Sequence, residues 1–197
     1  PIYIWHNESY WLKKSVDSIE ELKALLDRVE RRLENLSEFI LPDNWGEEKE
    51  RLNALGFNSP IYRGQRGPVT FATSVFGVEN LIFLCYDHAE LAKRFSDLIC
   101  KAILERAKVL DIERGYDENN FKHGWAWADD NCCMLSADLY EMFGFPILKK
   151  VFDKYSPNKG DKRFQHSDSE MRHLLPLLKK LNMTQVNLGP TLSVSEI

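Results

Sequence analysis

The stretch FKHGWAWADDNCCMLSADLYEMFGFPILKKVFDKYSPNKGDKRFQHSDSEMRHLLPLLKKLNMTQVNLGP, Phe121 to Pro190, decides the fold. Three short strand candidates, Phe121–Ala128, Arg163–His166 and Thr184–Gly189, are separated by longer amphipathic segments. That alternation is the pattern of βαβ units and a parallel sheet, not of hairpins. Ser136 is placed to cap a helix through Tyr140 and Phe143. Asp168 or Ser169 is placed to cap one carrying Met171, Leu174, Leu175, Leu178 and Leu181. Upstream, Pro60–Gly64 is a fourth strand candidate. Between it and Phe121, Asp87 and Glu90 stand in capping-box spacing before a helix that carries Leu91, Phe95, Leu98, Ile99, Ala102 and Ile103 on one face and stops at Gly115. Further upstream, Ser18 and Glu21 open a helix over SIEELKALLDRVERRLENLSEFIL with Leu22, Leu25, Leu26, Val29, Leu33, Leu36 and Ile40 on one face, and EEKERLNAL forms a shorter helix ending at Gly56. The whole reads as one α/β domain, residues 1–58 a helical lead-in and 59–197 βα units.

The 197 residues carry 26 Lys and Arg against 30 Asp and Glu, a formal charge of -4. No Lys/Arg block is present, which argues against nucleic acid as a partner, since phosphate neutralisation supplies most of that affinity. No run of eighteen apolar residues occurs, so no membrane partner is expected and the cytoplasm is the default location. Cys85, Cys100, Cys132 and Cys133 form no C-x-x-C pair and are expected to be reduced. The chain is shorter than the roughly 200–250 residues of a closed α/β barrel. Ser193 and Glu196 begin a capping box at the very end. Both features lead to the expectation that this is the interior of a longer polypeptide, with an open sheet edge that missing strands or a second copy, as in a homodimer, would cover.

In parallel α/β architectures catalytic groups collect where strands end. Arg63 and Arg66 at the first strand suit carboxylate recognition, because each guanidinium donates two parallel hydrogen bonds; structural pairing with nearby carboxylates explains them equally well. Asp129 and Asp130 end the second strand beside Trp127, where neighbouring carboxylates near aromatic surface invite a raised pKa and proton transfer. The plainer alternative makes one a cap and the other an arginine partner. His166 ends the third strand, and with Asp168 and an upstream aspartate it can ligate a metal; Asp168 is equally placed as a helix cap. Asn187 ends the fourth strand and can offer an amide to a substrate.

Three segments, GPVTFATSVFG (Gly67–Gly77), ADDNCCMLSADLYEMFGFPILKKVFDKY (Ala128–Tyr155) and QHSDSEMRHLLPLLKKL followed by QVNLGP, together resemble the uroporphyrinogen decarboxylase superfamily, which includes cobamide-dependent methyltransferases. The resemblance runs from Pro60 to Ile197. It implies a (β/α)8 TIM-type barrel, of which this chain would hold a partial barrel of parallel strands. Gly67-Pro68-Val69-Thr70 resembles the turn after the family's third strand. Asp129 falls where members carry an acidic residue ahead of a segment like Leu135-Ser136-Ala137. His166 falls on the histidine of the methyltransferase branch's H-x-C zinc motif. Two positions depart: Ser74 replaces the decarboxylase's pocket tyrosine, and Asp168 replaces the zinc cysteine.

What the resemblance implies first is cofactor-free decarboxylation of a carboxylated, tetrapyrrole-type small molecule. Arg63, Arg66, Trp127, Asp168 and Asn187 would then contact substrate, and Asp129, Asp130 and His166 would carry the chemistry. Its alternative is methyl transfer involving a corrinoid carrier, with zinc held near His166. A third reading, motivated by Ser74 and Asp168, is a non-catalytic binding module that kept the fold.

Overall fold

A computed structural model describes residues 2–6, 9–13, 15–57 and 63–196, with the backbone alone for 2–13 and Val194. The chain begins with an antiparallel hairpin of β1 (Ile2–His6) and β2 (Ser9–Lys13), in which Ile4 pairs with Trp11. The sequence reading offered no hairpin. Three helices follow, α1 (Ile19–Leu33), α2 (Leu36–Ile40) and α3 (Trp45–Ala54). The start of α1 is the expected cap: Ser18 Oγ accepts from the Glu21 amide at 3.1 Å, and Glu21 Oε2 accepts from Asp17 N at 2.7 Å. Leu22 and Leu26 bury fully against the core.

The body of the chain is a parallel sheet in strand order β3 (Gln65–Arg66), β4 (Trp125–Ala128), β5 (Arg163–Ser167) and β6 (Gln185–Leu188). Each strand lies beside the next in sequence. The connections are helical: α4 (Pro68–Phe76), α5 (Val78–Asp87) and α6 (Ala89–Glu113) join β3 to β4, α7 (Ala137–Phe143) and α8 (Phe145–Tyr155) join β4 to β5, and α9 (Leu175–Lys180) joins β5 to β6. The α/β class and the parallel pairing are therefore as expected. The four parallel strands make an open sheet, and the eight-strand closure implied by the resemblance is not found among the described residues.

Four sequence expectations move. The single helix expected to run from Ser18 through Ile40 breaks after Leu33, and α2 resumes at Leu36. The first strand is Gln65–Arg66, downstream of the expected Pro60–Gly64, whose first three residues lie outside the described set. Asp87 does not cap α6; it ends α5, and His88 turns the chain. Asp168 and Ser169 cap no helix, because a 3-10 turn at Arg172–Leu174 comes between them and α9. That releases Asp168 for other use.

Alternation along the strands gives the sheet two unlike faces. Trp125, Trp127, Gln165 and Ser167 are buried, and the ring of Trp125 lies 4.9 Å from that of Tyr155 and the ring of Trp127 6.4 Å from that of Phe152, both on α8. Ala126, Ala128, Phe164, His166, Gln185 and Asn187 occupy the opposite face, and all are exposed or half-exposed. Parallel sheets are ordinarily covered on both faces. Here one face is a helix-backed core and the other is accessible.

No single described helix is long and apolar enough to cross a membrane. The α4–α5 pair is apolar but bends by 98° at Gly77, and most of α4 is buried in the core.

Candidate functional site

Arg66, Ala128, His166 and Asn187 form one register row across all four strands, at the carboxyl end of the sheet on its accessible face. Just beyond that row the chain leaves β4 through a 3-10 turn at Asp130–Met134 and leaves β5 through Asp168. These two exits meet: the Asp168 amide donates to Asp130 Oδ1 at 2.8 Å. One ligating atom each from Asp130, His166 and Asp168 lies within 4.8 Å of the other two. His166 Nε2 is 3.7 Å from Asp168 Oδ2. On the other side of the ring, His166 Nδ1 is 2.6 Å from Asn187 Oδ1. An amide oxygen accepts only, so Nδ1 is the donor in that contact, and Nε2 is turned toward the two carboxylates.

The close seating of this rim depends on Gly189. A Cβ there would stand 2.2 Å from the Asp168 carbonyl oxygen, so a side chain would push the β6 exit away from Asp168. A histidine nitrogen and two carboxylates within one ion's reach form a donor set suited to a divalent cation such as zinc or manganese. Asn187 supplies the outer hydrogen bond that commonly fixes a ligating imidazole.

Asp129 has a different task. It is fully buried, and its carboxylate accepts from the Thr70 amide at 2.6 Å and the Val69 amide at 3.3 Å, capping α4 from across the sheet. Burial pushes its carboxyl up to about 6, although those amide hydrogen bonds pull the other way. Asn131 adds to the same clamp, its amide donating to Thr70 Oγ1 at 3.0 Å and its side chain to Thr73 Oγ1 at 2.9 Å. The expectation that Asp129 faces a substrate is corrected by this geometry: both oxygens are spent on a helix end and no solvent reaches them.

Arg63 and Trp127 are corrected for similar reasons. Arg63 lies at the amino end of the sheet, where its guanidinium pairs with Asp111 at 3.2 Å, donates to the Lys122 carbonyl and stacks on Tyr155 at 4.3 Å. The Trp127 indole points into the helical layer and is buried. Arg66 stays at the carboxyl end, exposed, with its nearest partner Ser74 Oγ at 3.4 Å. The structure therefore gathers Asp130, His166, Asp168 and Asn187, leaves Arg66 at the edge of the same row, and removes Asp129, Arg63 and Trp127.

The cysteines are all free. Cys132 is fully buried, with its thiol 2.7 Å from the Asp129 carbonyl oxygen and its pKa pushed up by burial; Cys85 is likewise pushed up, to about 11. Buried thiols of that kind are inert packing groups.

The sequence reading placed Asn187 as a substrate contact and missed its hold on His166. The signal was present. RFQH and TQVN each reach their polar end at the fourth residue, and in a parallel ladder that starts in register these two residues are neighbours.

No protein-family model matches the chain, and no curated protein matches it. Among solved structures, a methyltransferase from Methanosarcina mazei is similar at 18% identity with a TM-score of 0.49, over 62% of this chain and 34% of that one. The chain thus spans about a third of the length of that structure. A likeness so distant leaves function to be argued from the site itself.

Proposed function

We propose that the chain carries a divalent-metal site for methyl transfer to a thiol, with His166, Asp130 and Asp168 as the metal ligands. The observation that carries the metal site is the convergence of those three side chains within 4.8 Å at the carboxyl end of an accessible sheet face. The reaction class rests on the family resemblance, in which His166 takes the place of the zinc histidine. Decarboxylation is the weaker reading, because Asp129 and Arg63, the residues needed to face the developing cation and to hold a substrate carboxylate, are committed elsewhere.

When bound, the ion supplies Lewis acidity that favours the thiolate form of an acceptor near neutral pH. The chain's own residues do the positioning. Asn187 holds the imidazole with Nε2 forward, and the Asp168 amide holds Asp130. Ala126 and Ala128 keep the floor of the accessible face low, leaving room for substrate above β4. Balance requires that the acceptor sulfur lose its proton and form the S–C bond as the methyl group leaves its donor.

The test is equilibrium dialysis against zinc, followed by methyl transfer from methylcobalamin to a simple alkyl thiol. The reading expects one zinc per chain, lost in His166→Ala, with transfer falling by about a hundredfold or more in that variant. Zinc retained by His166→Ala would overturn the site. Stoichiometric zinc without methyl transfer would leave a metal-binding module and remove the methyltransferase reading.

A further inference from the structure

Arg63, lying apart from the carboxyl rim, belongs to a second feature. At the amino ends of β4 and β5 a cavity of about 260 Å³ has Arg63, Arg114, Lys122, His123 and Lys162 in its wall and no carboxylate among its lining residues. Two nearby acids are already engaged: Asp111 faces Arg63 at 3.2 Å and Asp161 faces His123 Nδ1 at 3.1 Å. Arg114 shares the charge of Asp111 with Arg63, and among the described residues the Lys122 side chain has neither an ion pair nor a hydrogen bond. The Lys162 ammonium has only the ring of Phe164, 4.8 Å away.

Two lysine ammonium groups without a carboxylate partner, and two arginines that share the one carboxylate of Asp111, therefore line one concavity in a chain where acids outnumber bases, 30 to 26. Like charges held together repel, and a multivalent oxyanion relieves that repulsion while using lysine ammonium donors that have no hydrogen-bond partner in the fold. Gly64 and Gly124 also line the cavity, so backbone comes close to its wall without side chains in the way. Gly124 needs to be glycine for its own reason, a φ of +102°.

We propose that this cavity is a binding site for a phosphate-bearing small molecule of diphosphate size. A volume of about 260 Å³ exceeds what a single phosphate occupies and is somewhat below that of drug-sized pockets. The site is separate from the rim. It extends along β4 to Ala126, two residue steps or about 7 Å of strand short of Ala128 in the rim row, so an anion held at the amino ends of β4 and β5 anchors or regulates and does not touch the groups around His166. This inference does not depend on the metal reading.

The test is calorimetric titration of the full chain, freed of metal by chelator and dialysis, with inorganic pyrophosphate at about 20 mM ionic strength, where exposed charges are little screened. One saturable site is expected. Lys122→Gln combined with Lys162→Gln should weaken binding at least about fivefold, while His166→Ala leaves it unchanged. Both lysines are exposed, so the double variant should keep the fold, and its circular dichroism and melting temperature report whether it does. A control pair, Lys23→Gln with Lys179→Gln, removes the same charge elsewhere and should have little effect. No saturable heat, equal weakening in the control pair, or full binding by the lysine double variant would each overturn the site. Citrate binding as tightly as pyrophosphate would overturn the phosphate assignment and make the cavity a polycarboxylate site.

Discussion

Asp129 and Asp130 are adjacent in sequence and separate in role, because one strand residue turns into the helical layer and the next begins the exit turn. Asp130 is half-buried and reaches Asp168; Asp129 is sealed and caps α4. The sealed carboxyl has a measurable signature. Unfolded, it releases its proton near the ordinary 3.8; folded, it holds the proton until about 6. In that window the folded state binds more protons than the unfolded, so this contribution to stability falls as pH rises. Asp129→Asn keeps an acceptor for the Thr70 amide and has nothing to titrate. In chelator-treated protein, denaturant unfolding at about pH 4.5 and pH 7 should show the wild type losing about 2 kcal/mol relative to the variant. Asp97 and Glu113, whose pKa values hydrogen bonds to Lys93 and to Trp45 respectively hold low, push the other way in both proteins and cancel in the difference. A parallel pH profile for the two proteins would mean that Asp129 is solvated.

At the scale of elements, the joint between β3, β4 and α4 leaves no room for a side chain at Gly67. A Cβ on Gly67 would stand 2.1 Å from the Asp129 Cβ and 2.7 Å from its Cα, both on the neighbouring strand exit. The backbone of Gly67 is ordinary, with φ -61° and ψ 155°, so the requirement is for space alone. Gly67→Ala should cost about 3 kcal/mol or more in urea unfolding, since only backbone movement relieves the overlap. Gly46→Ala, in α3 with nothing within 4 Å, should be neutral or stabilising by up to about 1 kcal/mol. Equal behaviour of the two variants would show that the β3–β4 joint yields easily. This joint also marks how far the sequence could be read. The strands at Trp125, Arg163 and Gln185 were legible as short segments set between longer amphipathic ones, and Ser18, Ser136 and Gly115 marked helix ends by local chemistry that needs no tertiary partner. The helices α4 and α5 were not, because Gly67–Asp87 is too uniformly apolar for a helical stripe to show, and its cap comes from Asp129, 59 residues from Thr70. Likewise the carboxylates of Asp130 and Asp168 carry no local mark of their meeting. It is created by the parallel register that sets Ala128 beside His166.

At the scale of the whole molecule, those ligands join two consecutive βα exits, so an ion held by them ties the β4 exit to the β5 exit. A folded-state ligand stabilises by mass action, about 2.7 kcal/mol when its free concentration is 100 times the dissociation constant. For a domain of about this length each kcal/mol moves the melting temperature by roughly 2–4 °C. Saturating zinc should therefore raise the melting temperature by about 5–10 °C over chelator-treated protein, and His166→Ala should abolish the rise. Asn187→Ala tests a subtler point, because it removes no ligand. Without Asn187 Oδ1 the imidazole loses the acceptor that keeps its proton on Nδ1, so the variant should need about 10–100-fold more zinc to reach the same melting temperature. A zinc-dependent rise equally easy to reach in Asn187→Ala would show that Asn187 does not orient the imidazole, and one of the same size in His166→Ala would place the ion at some other carboxylates and detach the accessible sheet face from metal chemistry.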